Sequence, residues 1–292
     1  MDNKEEKQYL DLITNIIENG YQETSRNGET ISIFGHMMKF SLKDGLIPIL
    51  TTKKVAIKTC FEELMWFIRG QTDNSILNKK NVHIWDGNST RTFLDSTGLH
   101  HLEDNDIGAS YGYQWRHYGA EYLGCKENYD GKGIDQLQNI INDLKDEKKR
   151  TSRRLVITSW NPTQLNDMAL PPCHMIMQFN VREGKYLSCA LYQRSADVGL
   201  GVPFNIASYA FLTHILAKHC NLIAEEFIYF MGNCHIYMEH LEILKEQIVR
   251  EPLPFPSIYI KERKENINDY EFTDIEWKEE YKSFGKMKMK MK

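Results

Sequence analysis

Between Leu170 and Asn205 the chain reads LPPCHMIMQFNVREGKYLSCALYQRSADVGLGVPFN. One thiol, Cys173, follows two prolines and precedes His174. The prolines fix φ and remove backbone donors, so Cys173 is predicted on a stiff, non-helical segment. Two alternating apolar runs follow, split by Arg182-Glu183-Gly184-Lys185, the pattern of two strands and a turn. The second run ends in Gln193-Arg194-Ser195, a cation beside a hydroxyl. Gly199 to Asn205 then reads as a turn opening a long apolar helix. A rigid thiol, a guanidinium and an amide at a helix start could meet in one pocket. A thiolate there would be a nucleophile, and Arg194 is the cation that would favour it at neutral pH. By spacing alone, a lone cysteine is more often a small buried hydrophobe, and an arginine at a strand end is usually a surface charge.

The elements that must position these groups follow from periodicity. Residues 4–19 put Tyr9, Leu12, Ile13, Ile16 and Ile17 at helical spacing, with Gly20 as the stop. Residues 24–30 read as a polar loop, and alternation through Ile31, Ile33, Met38, Phe40 and Leu42 predicts strands. Residues 59–69 read as a helix ended by Gly70. Glu63 sits on it among Phe61, Leu64, Met65, Trp66 and Phe67, so it must face water or hold a functional post. Residues 87–106 are polar and read as a loop or short helix, and 107–120 are dense in aromatics. Residues 133–148 place Ile134, Leu137, Ile141 and Leu144 on one helical face. Arg153 and Arg154 precede a strand at Leu155–Trp160 and would point to opposite faces if already extended. Residues 206–219 are apolar on nearly every face, a buried central helix. Residues 227–233 read as a short strand, followed by a helix to Val249 and an extended stretch through Pro252, Pro254 and Pro256. Residues 286–292, KMKMKMK, read by composition as a solvated tail.

Composition narrows the class. The chain has 292 residues, 41% hydrophobic and 26% charged, as in an ordinary globule. A net charge of −4 and a pI of about 6.2 leave no broad basic field for nucleic acid. An anionic substrate must therefore be held by a local cluster of cations. The first residues, MDNKEEKQYL, are too polar for a signal peptide, and no apolar run long enough to span a membrane follows. The six cysteines form no CxxC pair, which argues against a structural zinc site and fits a reducing, cytoplasmic setting. No nicotinamide fingerprint is present, so neither a metal nor NAD is expected.

The ordered string PPCH, QF, LSC, LYQRS, D, GLG, PFNIASY closely resembles thymidylate synthases, the folate-dependent enzymes that methylate dUMP. The resemblance runs from about Leu10 to about Met291. It implies an α/β fold of the α+β type: one domain over 1–292, a mixed twisted β-sheet covered by helices, and a dimer formed through the sheet. The implied reaction transfers a methylene group from 5,10-methylenetetrahydrofolate to C5 of dUMP and reduces it to methyl, through a Cys173–C6 adduct. The catalytic residues implied are Cys173, Glu63, Tyr111, Arg194 and Asn205. Glu63 would organise water and proton transfer near the pyrimidine. For dUMP the resemblance implies phosphate contacts from Arg26, Arg194 and Ser195, with Arg153 and Arg154 lent by the partner subunit. Ala196, Asp197 and Ile236 join them, while His235 and Tyr237 would bond the ribose hydroxyl. Asn205 would select uracil, accepting from N3–H and donating to O4. For the folate it implies Ile84, Trp85 and Ala56, then Asp197, Leu200, Gly201 and Phe204, and Met291 from the tail.

Three departures from the family pattern stand out. The loop at Arg26-Asn27-Gly28-Glu29-Thr30 is one residue short, Gly108-Ala109-Ser110 replaces Gly-Pro-Val before Tyr111, and Asn233 replaces an aspartate before His235. Two other readings compete. A pyrimidine hydroxymethylase would use water in place of hydride, and Asn205 and Trp85 speak for the methylating route. An RNA-binding regulator on the same fold is disfavoured as a main role by the acidic pI and the intact Cys173, which leaves RNA binding at most a secondary role.

Overall fold

The structure is a computed structural model and describes residues 3–25 and 27–290. Its frame is a six-stranded sheet in the order β1-β2-β6-β5-β4-β3. The strands are β1 Tyr21–Ser25, β2 Gly28–Ser41, β3 Val156–Thr158, β4 His174–Arg182, β5 Tyr186–Asp197 and β6 Ile223–Tyr237. All neighbours are antiparallel except β5 and β6. A parallel pair needs a crossover, and α7 (Gly201–His219) supplies it. The smaller pair β7 (Ile258–Ile260) and β8 (Ile275–Trp277) stands apart. The other helices are α1 Lys4–Asn19, α2 Ile57–Ile68, α3 Asn74–Asn78, α4 Arg91–Ser96, α5 Gly112–His117, α6 Gln136–Lys145 and α8 Leu241–Ile248.

The alternation read from the sequence becomes two different faces. Met177, Leu191, Tyr229 and Met38 lie in register across β4, β5, β6 and β2, and all are buried. The next row inward, Phe179, Cys189, Phe227 and Phe40, is buried too. Against this face packs α7, whose Tyr209 ring stacks on Phe227 at 6.1 Å. Behind α7 lies α2, with Phe61 meeting Phe211 edge-on at 5.6 Å. The opposite face carries the row Ile176, Tyr192, Phe230 and Met37, which remain 39, 39, 43 and 50% exposed.

One buried carboxylate fixes the chain between the sheet and α2. Glu6 on α1 accepts from the backbone N–H and the hydroxyl of both Thr51 and Thr52, at 2.6–2.9 Å. A buried charge needs such a full set of donors. The next residue, Lys53, is buried as well and donates from Nζ to the carbonyl of Gly199.

Several boundaries differ from the sequence reading. The polar loop at 24–30 shrinks to a tight hairpin, because Tyr21–Ser25 pairs with Gly28–Ser32. Ile134 lies ahead of α6 and is 56% exposed, bonded backbone to backbone with Tyr118; Ile140 takes its place in the core. Helix α7 begins at Gly201, so Asn205 is on its second turn rather than before it. Strand β6 extends from Ile223 to Tyr237, well beyond the apolar run at 227–233, because its ends find ladder partners on β2 and β5. Among the described residues no helix is long and apolar enough to cross a membrane.

Candidate active site

The parallel pair β5 and β6 ends at one edge of the sheet, and α7 starts there. Register puts Ser195 beside Asn233, Asp197 beside His235, and Thr30 of β2 beside Tyr237. The carboxyl ends of parallel strands, next to a helix start, are a favoured place for ligands. Strand β4 begins at the same edge, His174 opposite Gln193, which brings in the Pro171-Pro172-Cys173 turn.

Arg194 holds that turn. Its backbone N–H donates to Cys173 O at 2.9 Å, Nε to Pro172 O at 2.9 Å and Nη2 to Pro171 O at 2.9 Å. Nη2 lies 3.9 Å from Cys173 Sγ, and the guanidinium sits 5.5 Å over the Trp160 ring. From the other side, the Cys173 N–H donates to Tyr111 Oη at 2.9 Å. Tyr111 has φ +31°, an uncommon value for a residue with a side chain. Its ring stacks on His174 at 4.2 Å.

Three contiguous cavities run from this turn. The middle one, about 360 Å³, is lined by Tyr111, Cys173, Arg194, Asn205 and His235 among others. At one end Ser195, His235 and Tyr237 also border a cavity of about 250 Å³, completed by Glu23, Asn27, Thr30 and Asn233. At the other end Asp197, Gly201 and Asn205 also border a cleft of about 370 Å³ with Glu63, Ile84, Leu200 and Phe204.

The sequence candidates thus sort themselves. Cys173, Tyr111, Arg194, Ser195, Asp197, Asn205, His235 and Tyr237 converge on the middle cavity, and Glu63, Ile84, Leu200, Gly201 and Phe204 on the apolar cleft. Trp85 stands behind the wall, 8% exposed, its indole N–H donating to Glu63 Oε1 at 2.7 Å. Ala196 and Ile236 are fully buried, so their side chains do not reach a ligand from within the cavities. Ala56 is exposed ahead of α2 and lines none of the three, and Arg153 and Arg154 are exposed at the start of the β3 edge. Arg26 and Met291 lie outside the described residues. Sequence reasoning passed over Asn27, Thr30, Gln193 and Tyr209. Tyr209 bonds His174 Nδ1 at 2.6 Å, and Gln193 accepts from Tyr229 at 2.6 Å. Only their neighbours Arg26, Arg194 and Asn205 hinted at them.

Burial dominates the electrostatics. The Glu63 carboxyl is pushed up to about 7 by desolvation, against the pull of the Trp85 N–H. Burial likewise drives His174 down to about 3, so its ring is neutral. Cys173 departs from expectation. Burial raises its thiol above the usual range, Asp197 adds to this, and Arg194 only partly offsets it. The guanidinium spends two of its donors on prolyl carbonyls, so the resting side chain is a thiol, not the thiolate expected from a neighbouring cation. Asn233, where the family pattern has aspartate, accepts at Oδ1 from His235 Nδ1 at 2.9 Å.

A thymidylate synthase family model matches residues 7–292. The chain belongs to the thymidylate synthase family. It is 46% identical to the thymidylate synthase of Saccharomyces cerevisiae, over 99% of this chain and 97% of that protein. It is 50% identical to the bifunctional dihydrofolate reductase-thymidylate synthase of Paramecium tetraurelia, over 98% of this chain and 61% of that protein. The bifunctional protein of Leishmania major is 49% identical over 94% of this chain, which covers 53% of its length. The chain therefore spans between half and two thirds of these bifunctional relatives. The family carries the mixed α/β fold seen here. Among the described residues no cluster of three or more histidine, cysteine, aspartate or glutamate side chains is placed to hold a metal ion.

The Glu63–Trp85 bond gives a direct test of the shifted carboxyl. Tryptophan fluorescence should titrate with a midpoint near 7, because the indole N–H then loses or gains a charged acceptor. The step should vanish in Glu63→Gln. A titration confined to the ordinary carboxylate range would contradict a buried, raised Glu63.

Proposed function

We propose that this cleft converts dUMP to dTMP, with 5,10-methylenetetrahydrofolate as cosubstrate and dihydrofolate as coproduct. The observation that carries the reading is the middle cavity, which a thiol, a guanidinium and an amide line together. It is joined to a polar pocket on one side and an apolar cleft on the other. A nucleotide needs the first two, phosphate to base, and a flat pterin with its aryl tail suits the third. The folate supplies the one-carbon unit and the hydride, and Asp197 offers an acceptor to the pterin N–H groups.

C5 of uracil is a poor nucleophile. Addition of Cys173 Sγ to C6 forms the S–C bond, and the C5–C6 π electrons pass into an enolate ending on O4. C5 is then activated toward the one-carbon electrophile. The thiol must lose its proton as the bond forms. Arg194, 3.9 Å away, is the cation that favours the thiolate against burial. Asn205 pairs with N3–H and O4, which selects uracil over cytosine. Glu63, poised near 7, can hold or release a proton beside O4. Tyr111 fixes the Cys173 turn through its hydroxyl.

A second subunit completes the reading. Among the described residues, no arginine or lysine lines the outer polar cavity, although a phosphate monoester needs guanidinium forks. Arg153 and Arg154 are exposed at an edge of the sheet whose uncovered face carries Ile176, Tyr192, Phe230 and Met37. Two-fold packing of that face would cover the apolar row and let each chain lend its pair to the other. Six free cysteines fit work in a reducing cytoplasm.

Cys173→Ser should still bind dUMP yet lose turnover by about 10³-fold or more, since an alcohol is barely ionised near neutral pH. Near-normal dTMP formation by that variant would rule out the covalent route. The shared site is tested by mixing subunits. Homodimers of Cys173→Ala and of Arg153→Ala with Arg154→Ala should each be nearly inactive. Refolded together, their heterodimers should regain as much as one working site each. No recovery from heterodimers shown to have formed would place the arginines elsewhere.

A further inference from the structure

Composition reads the Lys-Met tail as solvated, but the structure docks it. Lys286, Lys288 and Lys290 are exposed, while Met287 and Met289 between them are half-buried. That is the alternation of an extended chain lying on a surface. The segment is tethered before it starts. Phe284 N–H donates to Thr51 O at 2.8 Å, and Lys54 N–H to Gly285 O at 2.7 Å. Met289 then packs on the main core.

At its far end the tail meets a buried imidazole. His240, 2% exposed, closes the 3-10 turn Met238–His240 directly after β6. Its Nε2 lies 2.9 Å from Lys290 O. A carbonyl only accepts, so Nε2 carries the proton and Nδ1 is left as an acceptor, which has no partner among the described residues. The Tyr237 ring, 5.8 Å away and nearly perpendicular, fixes the imidazole from the nucleotide side. Gly199 marks where these parts converge. A Cβ there would come within 3.2 Å of Met289 Sδ, 3.3 Å of His240 Nδ1 and 3.4 Å of Asp197 Oδ1. Asp197, with Leu200 and Gly201, lines the apolar cleft.

We propose that His240 is a positioning residue: its Nε2–H latches the tail backbone at Lys290 against the Asp197–Gly201 loop and so completes the rim of the apolar cleft. A purely structural histidine would stabilise the turn without governing the tail. The kinetic consequence rests on the folate reading of that cleft; the latch itself does not.

Limited trypsin digestion of the full chain reads the latch directly, because Lys286 and Lys288 are cutting sites within the tail. Loss of one hydrogen bond should speed tail release about fivefold in His240→Ala. His240→Gln, whose amide N–H reaches the same carbonyl, should stay within about twofold of the unmodified protein, which also covers the case that the alanine variant fails to fold. The dUMP dissociation constant should stay within about twofold in both variants, while KM for methylenetetrahydrofolate rises about fivefold in His240→Ala alone. Equal tail release in the unmodified protein and folded His240→Ala would overturn the latch, as would a tail released as fast in His240→Gln. Faster release with an unchanged folate KM would keep the latch and remove the folate from that cleft.

Discussion

The grip of Arg194 on the cysteine turn is the interaction on which the site depends. One residue of β5 spends a backbone N–H and two guanidinium donors on three consecutive carbonyls, those of Pro171, Pro172 and Cys173. The prolines cannot donate to a sheet, so Arg194 on one side and the Tyr111 hydroxyl on the other hold the turn. Because β5 is also the strand that pairs with β6, the same residue references Cys173 to Ser195, Asp197 and His235. Placement of the thiol, the polar cavity and the apolar cleft thus shares one rigid origin. The cost is electrostatic. A guanidinium committed to carbonyls lowers its neighbouring thiol less than a free one would, and burial prevails at rest.

Much of the frame was legible because it is local. The α1 stripe, the β4–β5 hairpin with its Glu183-Gly184 turn and the all-apolar α7 each announce themselves within a single window of sequence. What was not legible is decided by partners far along the chain. Strand β6 outruns its apolar core because β2 and β5 offer ladder partners to Asn233 and His235. Glu63 looked like a surface charge or a functional residue. Its burial is resolved by Trp85, 22 residues on. The tail meets Thr51 and Lys54 more than 230 residues back and His240 50 residues back.

The candidate site divides along the same line. Cys173, Arg194 and Asn205 could be named from an ordered motif, and the structure gathers them. Trp85, Ala196 and Ile236, named from the same resemblance, are buried and line none of the three cavities. The residues that brace the wall, Glu6, Lys53 and Tyr209, gave no sign in the sequence, because a buried acid, a buried lysine and a core tyrosine acquire meaning only from what they touch. Lys53 shows this: burial brings its amine down to about 8, and the Gly199 carbonyl takes its hydrogen bond.

The most direct measurement is a crystal structure with dUMP bound. The account predicts C6 of the uracil against Cys173 Sγ, the N3 and O4 edge on the Asn205 amide, and the phosphate in the polar cavity beside Ser195, facing guanidinium groups of a second subunit. A nucleotide bound with its phosphate toward Glu63 and Phe204, or with its base turned away from Asn205, would contradict it.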